Sequence, residues 1–197
     1  MTANQRLYGM LVPALLVLVA LVGFGQTVRA EVVHTVINAR TLDKGTIMLD
    51  LDGDGIADFA LNSFFGQVSC GIRDGWGSSV TLTKRIGGGV VPSKRLPLLA
   101  ELLPSNVKID RRTTFYHGYI QVERSYCDSL PGDDSGYLGL EFKINGQTHY
   151  GWAQVTIDFL SGPHMATIVS DVAYETIPNE GIRTGQIQDN ADASPEP

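Results

Sequence analysis

Tyr137-Leu-Gly-Leu-Glu-Phe-Lys-Ile144-Asn145-Gly146-Gln147-Thr-His-Tyr-Gly-Trp-Ala-Gln-Val-Thr-Ile157 decides the fold class. Leu138, Leu140, Phe142 and Ile144 recur with a period of two, so a strand here puts all four on one face. Asn145-Gly146 tolerates the positive φ that both centres of a tight type I′ turn require, and the second strand follows at once. The segment therefore reads as an antiparallel hairpin. Outward from it, runs rich in β-branched and aromatic residues recur between Gly, Asn, Asp and Pro clusters. They are Val32–Ile37, Thr46–Leu51, Ile56–Leu61, Gly66–Ile72 and Val80–Thr83, then Thr113–Glu123, Ala166–Ser170 and Val172–Ile177. With the two hairpin strands, that many short strands predict an all-β chain, an antiparallel β-sandwich or jelly roll.

One stretch departs from this pattern. Lys94-Arg-Leu-Pro-Leu-Leu-Ala-Glu-Leu-Leu-Pro104 sets Leu96, Leu99 and Leu103 at helical spacing, with Pro97 tolerable in a first turn and Pro104 as a stop. One short helix over a sheet end is expected. The preceding Gly87-Gly-Gly89 lacks the spacing and the lysine of a phosphate-cradling loop.

The chain is 197 residues long. Met10–Phe24 is an almost continuous apolar run, preceded by Arg6 and followed by Gly25-Gln-Thr-Val-Arg-Ala30, the order of a secretory signal with cleavage after Ala30. A run of this length spans roughly 22 Å as a helix, short of a ~30 Å hydrocarbon core, so no stable membrane span is expected after cleavage. The expected organisation is signal peptide 1–30, sandwich domain 31–183 and a disordered, acidic tail 184–197, in a secreted or periplasmic protein. The region after Ala30 holds all 21 acidic and 13 of the 15 basic residues, a net charge of −8. Nucleic acid is not an expected partner of such a chain. Export also favours oxidised thiols. The two cysteines, Cys70 and Cys127, are expected to form one disulfide, adding roughly 4 kcal/mol in the chain-entropy model, unless both are buried as free thiols.

Asp50-Leu-Asp52-Gly-Asp54-Gly55-Ile56-Ala-Asp58-Phe59 is the segment with chemistry in it. Ca²⁺ needs six to eight oxygens converging at about 2.3–2.6 Å. Carboxylates at loop positions one, three, five and nine meet that need, with glycine at six for the sharp turn and a carbonyl at seven. Here these are Asp50, Asp52, Asp54, Asp58, Gly55 and the Ile56 carbonyl. Ile47, Leu49 and Leu51 share the opposite face, so both flanks read as strand. Asx turns without metal are the competing account, but four carboxylates in nine residues repel one another unless a cation gathers them. Affinities of extracellular Ca²⁺ modules, on the order of 10⁻⁴–10⁻³ M, suit a structural ion.

This loop resembles the Ca²⁺ loops between strands in the FG-GAP repeats of integrin-type propellers, although a propeller needs several copies and this chain has one. A wider resemblance rests on Gly136-Tyr-Leu-Gly-Leu-Glu-Phe142, Thr148-His-Tyr-Gly-Trp152, Ala173-Tyr-Glu-Thr-Ile-Pro-Asn179 and Ile182-Arg-Thr-Gly185. With the Asp50–Phe59 loop, these segments are similar to a group of uncharacterised secreted bacterial proteins that often carry a PEP-CTERM sorting tail. The resemblance implies an exported all-β protein without an established activity. The apolar helix and basic cluster that follow Pro-Glu-Pro in such a tail do not follow Pro195-Glu196-Pro197 here.

Other candidates compete with plainer accounts. Tyr150 and Trp152, with Tyr116, Tyr119 and Tyr174, offer a glycan-binding platform or ordinary cross-strand packing. His117, His149 and His164 lack metal-ligand spacing. Glu123, Glu141, Asp158 and Glu175 offer a glycosidase pair only if two of them oppose each other across a cleft. The sequence carries no nucleophile elbow, His-Glu-x-x-His or Cys-x-x-Cys motif. The expectation is a non-catalytic extracellular or matrix-associated binding module with a structural Ca²⁺. A lectin-like carbohydrate-binding protein or a glycan hydrolase is the rival.

Overall fold

The computed structural model describes residues 31–70, 73–126, 134–160 and 164–188. The signal peptide expected at 1–30 and Cys127 of the expected disulfide lie outside these residues. The described chain is all-β and antiparallel, with no helix, consistent with a β-sandwich.

Twelve strands occur in chain order: β1 (Val32–Leu42), β2 (Lys44–Leu49), β3 (Phe59–Cys70), β4 (Arg73–Lys84), β5 (Gly89–Val90) and β6 (Leu102–Leu103). They continue with β7 (Lys108–Ile109), β8 (Ile120–Tyr126), β9 (Asp134–Ile144), β10 (Gln147–Leu160), β11 (His164–Glu175) and β12 (Ile182–Arg183). Ten of them belong to one hydrogen-bonded path, β5-β9-β10-β11-β1-β2-β3-β4-β8 with β6 also on β9. The path has a weak joint. β1 and β2 pair only at Leu42↔Lys44, next to their turn at Asp43. Beyond that turn the two strands part, so β5-β9-β10-β11-β1 forms one layer and β2-β3-β4-β8 the other. A bulge between Val36 and Ala39, with Asn38 at φ 51°, adds bend to β1.

One core fills the space between the layers. Leu49, Leu51, Phe59, Leu61, Val80 and Leu82 come from the second layer and its loop; Leu138, Leu140, Phe142, Val155, Ile157 and Val172 come from the first. Fully burying each such side chain is worth about 1.5–3 kcal/mol. Ser63 donates to Thr167 across the layers at 2.8 Å. The Asn145-Gly146 turn has φ 50° and 80°, and Ile144 faces Gln147, as its type I′ reading requires.

β10 is buried on both faces. Ala153, Val155 and Ile157 enter the main core, whereas Tyr150 and Trp152 enter a smaller outer core with Ile109, Leu103 and Ile182. The short β7–β12 ladder and its flanking loops cover this outer face. One expectation fails there. Thr184 does not begin a disordered tail: it is buried, its hydroxyl donates to the Pro104 carbonyl at 2.7 Å, and its N–H donates to the Val107 carbonyl. The described chain runs on to Gln188, and Gln186 offers its carbonyl to the Trp152 indole N–H at 3.2 Å.

The predicted helix over Lys94–Pro104 is absent. Its backbone groups go instead to strands on either side. The Ala100 N–H donates to Gln121, the Glu101 N–H to Val91 and the Gln121 N–H to Leu98. With the bridges Leu99↔Gln121, Pro92↔Ala100 and Val90↔Tyr116, this segment links the two edge strands and closes the open side of the sandwich. Between two prolines the run is too short to nucleate a helix, and Leu96 and Leu98 stay exposed. Capping both sheet edges satisfies more backbone than one helical turn.

Candidate metal centre

The connections β2–β3, β4–β5 and β9–β10 come together at one end of the sandwich, and the acidic loop is the first of these. Leu49 pairs with Phe59 at its base, and the Asp58 N–H donates to the Leu49 carbonyl at 2.8 Å. Both Asp50 oxygens accept backbone N–H groups, from Gly53 at 2.9 Å and Gly55 at 2.8 Å. Asp52 accepts the Asp54 N–H, and Asp54 accepts the Ile56 N–H. Gly53 and Gly55 hold φ of 73° and 84°, left-handed values that cost a glycine nothing. Asp58 is 3% exposed and accepts the Leu51 N–H at 3.0 Å.

The loop brings Asp50, Asp52 and Asp58 together, one carboxylate oxygen from each lying within 4.8 Å of the others. Each oxygen has two lone pairs, so accepting one N–H leaves room for a cation. Asp54 stands outside this trio, 3.5 Å from the Arg85 guanidinium. Ile56 is exposed at the loop tip. Burial pushes the Asp58 carboxyl up to about 6; the charges of Asp52 and Asp50 add to the push, while the Leu51 N–H and Arg85 oppose it. Burial likewise raises Asp52, with the charges of Asp54 and Asp50 acting in the same direction. Three convergent carboxylate oxygens are the kind of hard donor set that a divalent cation such as Ca²⁺ takes.

Tyr150 and Trp152 do not form an exposed platform: they are 3% and 1% exposed. Tyr150 stacks on Phe115 at 5.8 Å, and Tyr137 meets Trp152 edge-on at 5.2 Å. Gly151 between them lets the Ala173 carbonyl approach to 2.6 Å of where a Cβ would stand. The histidines do not converge. His117 meets the Gly88 carbonyl, the buried His149 meets the Glu175 carbonyl, and His164 meets Asp43 at the far end. The carboxylate of Glu175, also buried, accepts the Ile177 N–H, and Glu141 lies 3.7 Å from His117.

A cleft of about 900 Å³ opens beside the trio, lined by Asp52, Asp58, Lys84, Phe142, Lys143 and Tyr174 among others. Sequence reading did not connect Lys84 or Tyr174 with the acidic loop. For Lys84 the available signal was parity, since it follows Leu82 on the core-facing side of β4. No family model matches the chain, and no curated protein or solved structure matches it.

Proposed function

We propose that this is a secreted, non-catalytic binding module whose Asp50–Asp58 loop holds a structural Ca²⁺. The observation that carries the reading is the convergence of Asp50, Asp52 and Asp58 at the base of a hairpin whose backbone N–H groups fix them in place. The ion sits at the joint between β2 and β3 and relieves the repulsion of three carboxylates, so its binding free energy adds to folding stability. Export, read from the Met10–Phe24 run and Ala30, exposes the loop to millimolar Ca²⁺ and suits weak extracellular sites. Engagement of the candidate acids Glu141 and Glu175 with neighbouring groups supports binding over hydrolysis.

The test is thermal melting of the purified protein in chelator and in increasing Ca²⁺. A saturable rise in melting temperature, larger for Ca²⁺ than for Mg²⁺, supports the reading. No rise at 10 mM Ca²⁺ overturns it.

A further inference from the structure

The mouth of the sandwich offers two groups that the metal loop leaves unanswered. Leu82 is buried, Thr83 is exposed and Lys84 is half-buried, so the Lys84 side chain extends the core-facing row of β4 into the cleft. Its ammonium makes no hydrogen bond or ion pair among the described residues. Burial lowers its pKa, with the charge of Glu141 opposing. Tyr174 is 9% exposed and lines the same cleft, packed edge-on against Phe142 at 5.6 Å. Its hydroxyl has no hydrogen-bond partner among the described residues. Burial raises its pKa, and the charges of Asp52 and Asp58 reach it. A buried hydroxyl left unpaired costs stability. An ammonium half out of water with no direct ion pair does too.

A ligand that answers both groups beside a Ca²⁺ must bring an anionic oxygen for Lys84 and further hard oxygens for the ion. A neutral sugar leaves Lys84 unmatched. A polyanion meets the net charge of −8 after Ala30 and the carboxylates on the same wall. A volume of about 900 Å³ falls within the usual range for small-molecule sites.

We propose that this mouth binds a sugar carrying a single carboxylate, whose oxygens complete the shell of the ion held by Asp50, Asp52 and Asp58 while Lys84 and the Tyr174 hydroxyl meet the carboxylate. The inference rests on the Ca²⁺ reading and adds the ligand class to it.

Galacturonic acid and galactose differ only by carboxylate against hydroxymethyl, and lactate supplies the hydroxy-acid unit without the sugar. Each is titrated into the full protein in Ca²⁺ and in chelator, with binding followed by NMR shifts and melting followed in parallel. The expected result is Ca²⁺-dependent binding of galacturonic acid, about tenfold or more tighter than galactose or lactate. Lys84→Met and Tyr174→Phe should each weaken galacturonic acid about tenfold and leave the Ca²⁺-dependent melting shift intact. Tyr174→Phe, which removes the unpaired hydroxyl, should melt at or above the parent.

If Ca²⁺ raises the melting temperature but galacturonic acid does not bind, or binds no better than galactose, this inference fails and the ion site stands. It fails equally if both variants bind like the parent. Lactate matching galacturonic acid overturns the sugar as the ligand in favour of a free hydroxy acid. Absence of the Ca²⁺ melting shift overturns the ion reading, and with it this one.

Discussion

The Asp58 carboxylate accepts the Leu51 N–H at 3.0 Å, tying the exit of the acidic loop to its entry. The same carboxylate is buried against Asp52 and Asp50, so the group that closes the loop also carries its least tolerable charge. Asparagine at this position keeps an oxygen for the Leu51 N–H and removes the charge.

Asp58→Asn should therefore melt at or above the parent in chelator and lose most of the Ca²⁺-dependent gain. In the parent, 10 mM Ca²⁺ should add about 1.5–3 kcal/mol if the site has ordinary extracellular affinity. Differential scanning calorimetry of both proteins with and without Ca²⁺ checks this; an undiminished gain in the variant would place the ion elsewhere.

Asp43 pins the two layers at the opposite end. Its carboxylate accepts the Met165 N–H at 2.9 Å and meets His164 at 2.8 Å, while its backbone N–H donates to the Met165 carbonyl. The His164 contact, then the Met165 N–H, hold its pKa below the ordinary 3.8. A carboxylate depressed in the folded state adds stability above the unfolded value, and that stability is lost as pH falls through the folded value. Urea unfolding from pH 6 down to pH 2 should show a shallower acid loss in Asp43→Asn than in the parent. The difference should stay below about 1 kcal/mol, because water reaches the pair.

Trp152 joins the outer face of β10 to the chain's C-terminal segment. Removing residues 184–197 takes away the Gln186 carbonyl that accepts its indole N–H, together with the buried Thr184. Truncation after Arg183 should cost about 2–4 kcal/mol, by loss of buried hydrogen bonds and exposure of the outer core. Truncation after Gln188 keeps these contacts and serves as the comparison. Equal stability of the two forms in denaturant would contradict the packing of this segment.

Gly151→Ala tests how closely β10 and β11 approach. The new Cβ would stand 2.6 Å from the Ala173 carbonyl and 3.0 Å from Leu51. The Ala173 carbonyl cannot retreat without disturbing the β10–β11 ladder, so a loss of about 2 kcal/mol or more is expected. Gly146→Ala, where no atom lies within 4 Å, should show only the smaller strain of its φ of 80°.

Cys70 ends β3 and Cys127 follows β8, two strands that run in the same direction on either side of β4. A disulfide between them would fasten the end of the sandwich opposite the acidic loop. Alkylation under denaturing conditions should modify neither thiol until a reductant is added; two modified thiols without reductant would exclude the bridge.

Local signals made much of the fold legible. The period of Leu138, Leu140 and Phe142 fixed which face of β9 is buried, and Asn145-Gly146 fixed the register with β10, because strand parity and a two-residue turn depend only on neighbours. The Asp-Gly spacing likewise marked the loop that gathers Asp50, Asp52 and Asp58. Its departure is Asp54, drawn toward Arg85 from a strand end that the local sequence cannot place nearby.

Longer-range competition settled the rest. Leu96, Leu99 and Leu103 carry helical spacing, yet the segment links β8 to β9 because two open sheet edges offer hydrogen bonds that an isolated helical turn lacks. Tyr150 and Trp152 look like surface aromatics until the chain beyond Leu103 and Ile182 covers them. The sequence alone thus determined strand, turn and acidic loop, each set by interactions within a few residues. Which faces are covered, which aromatics are hidden, and that Lys84 and Tyr174 meet at one mouth were decided by the tertiary structure, because burial depends on what distant segments bring to a surface.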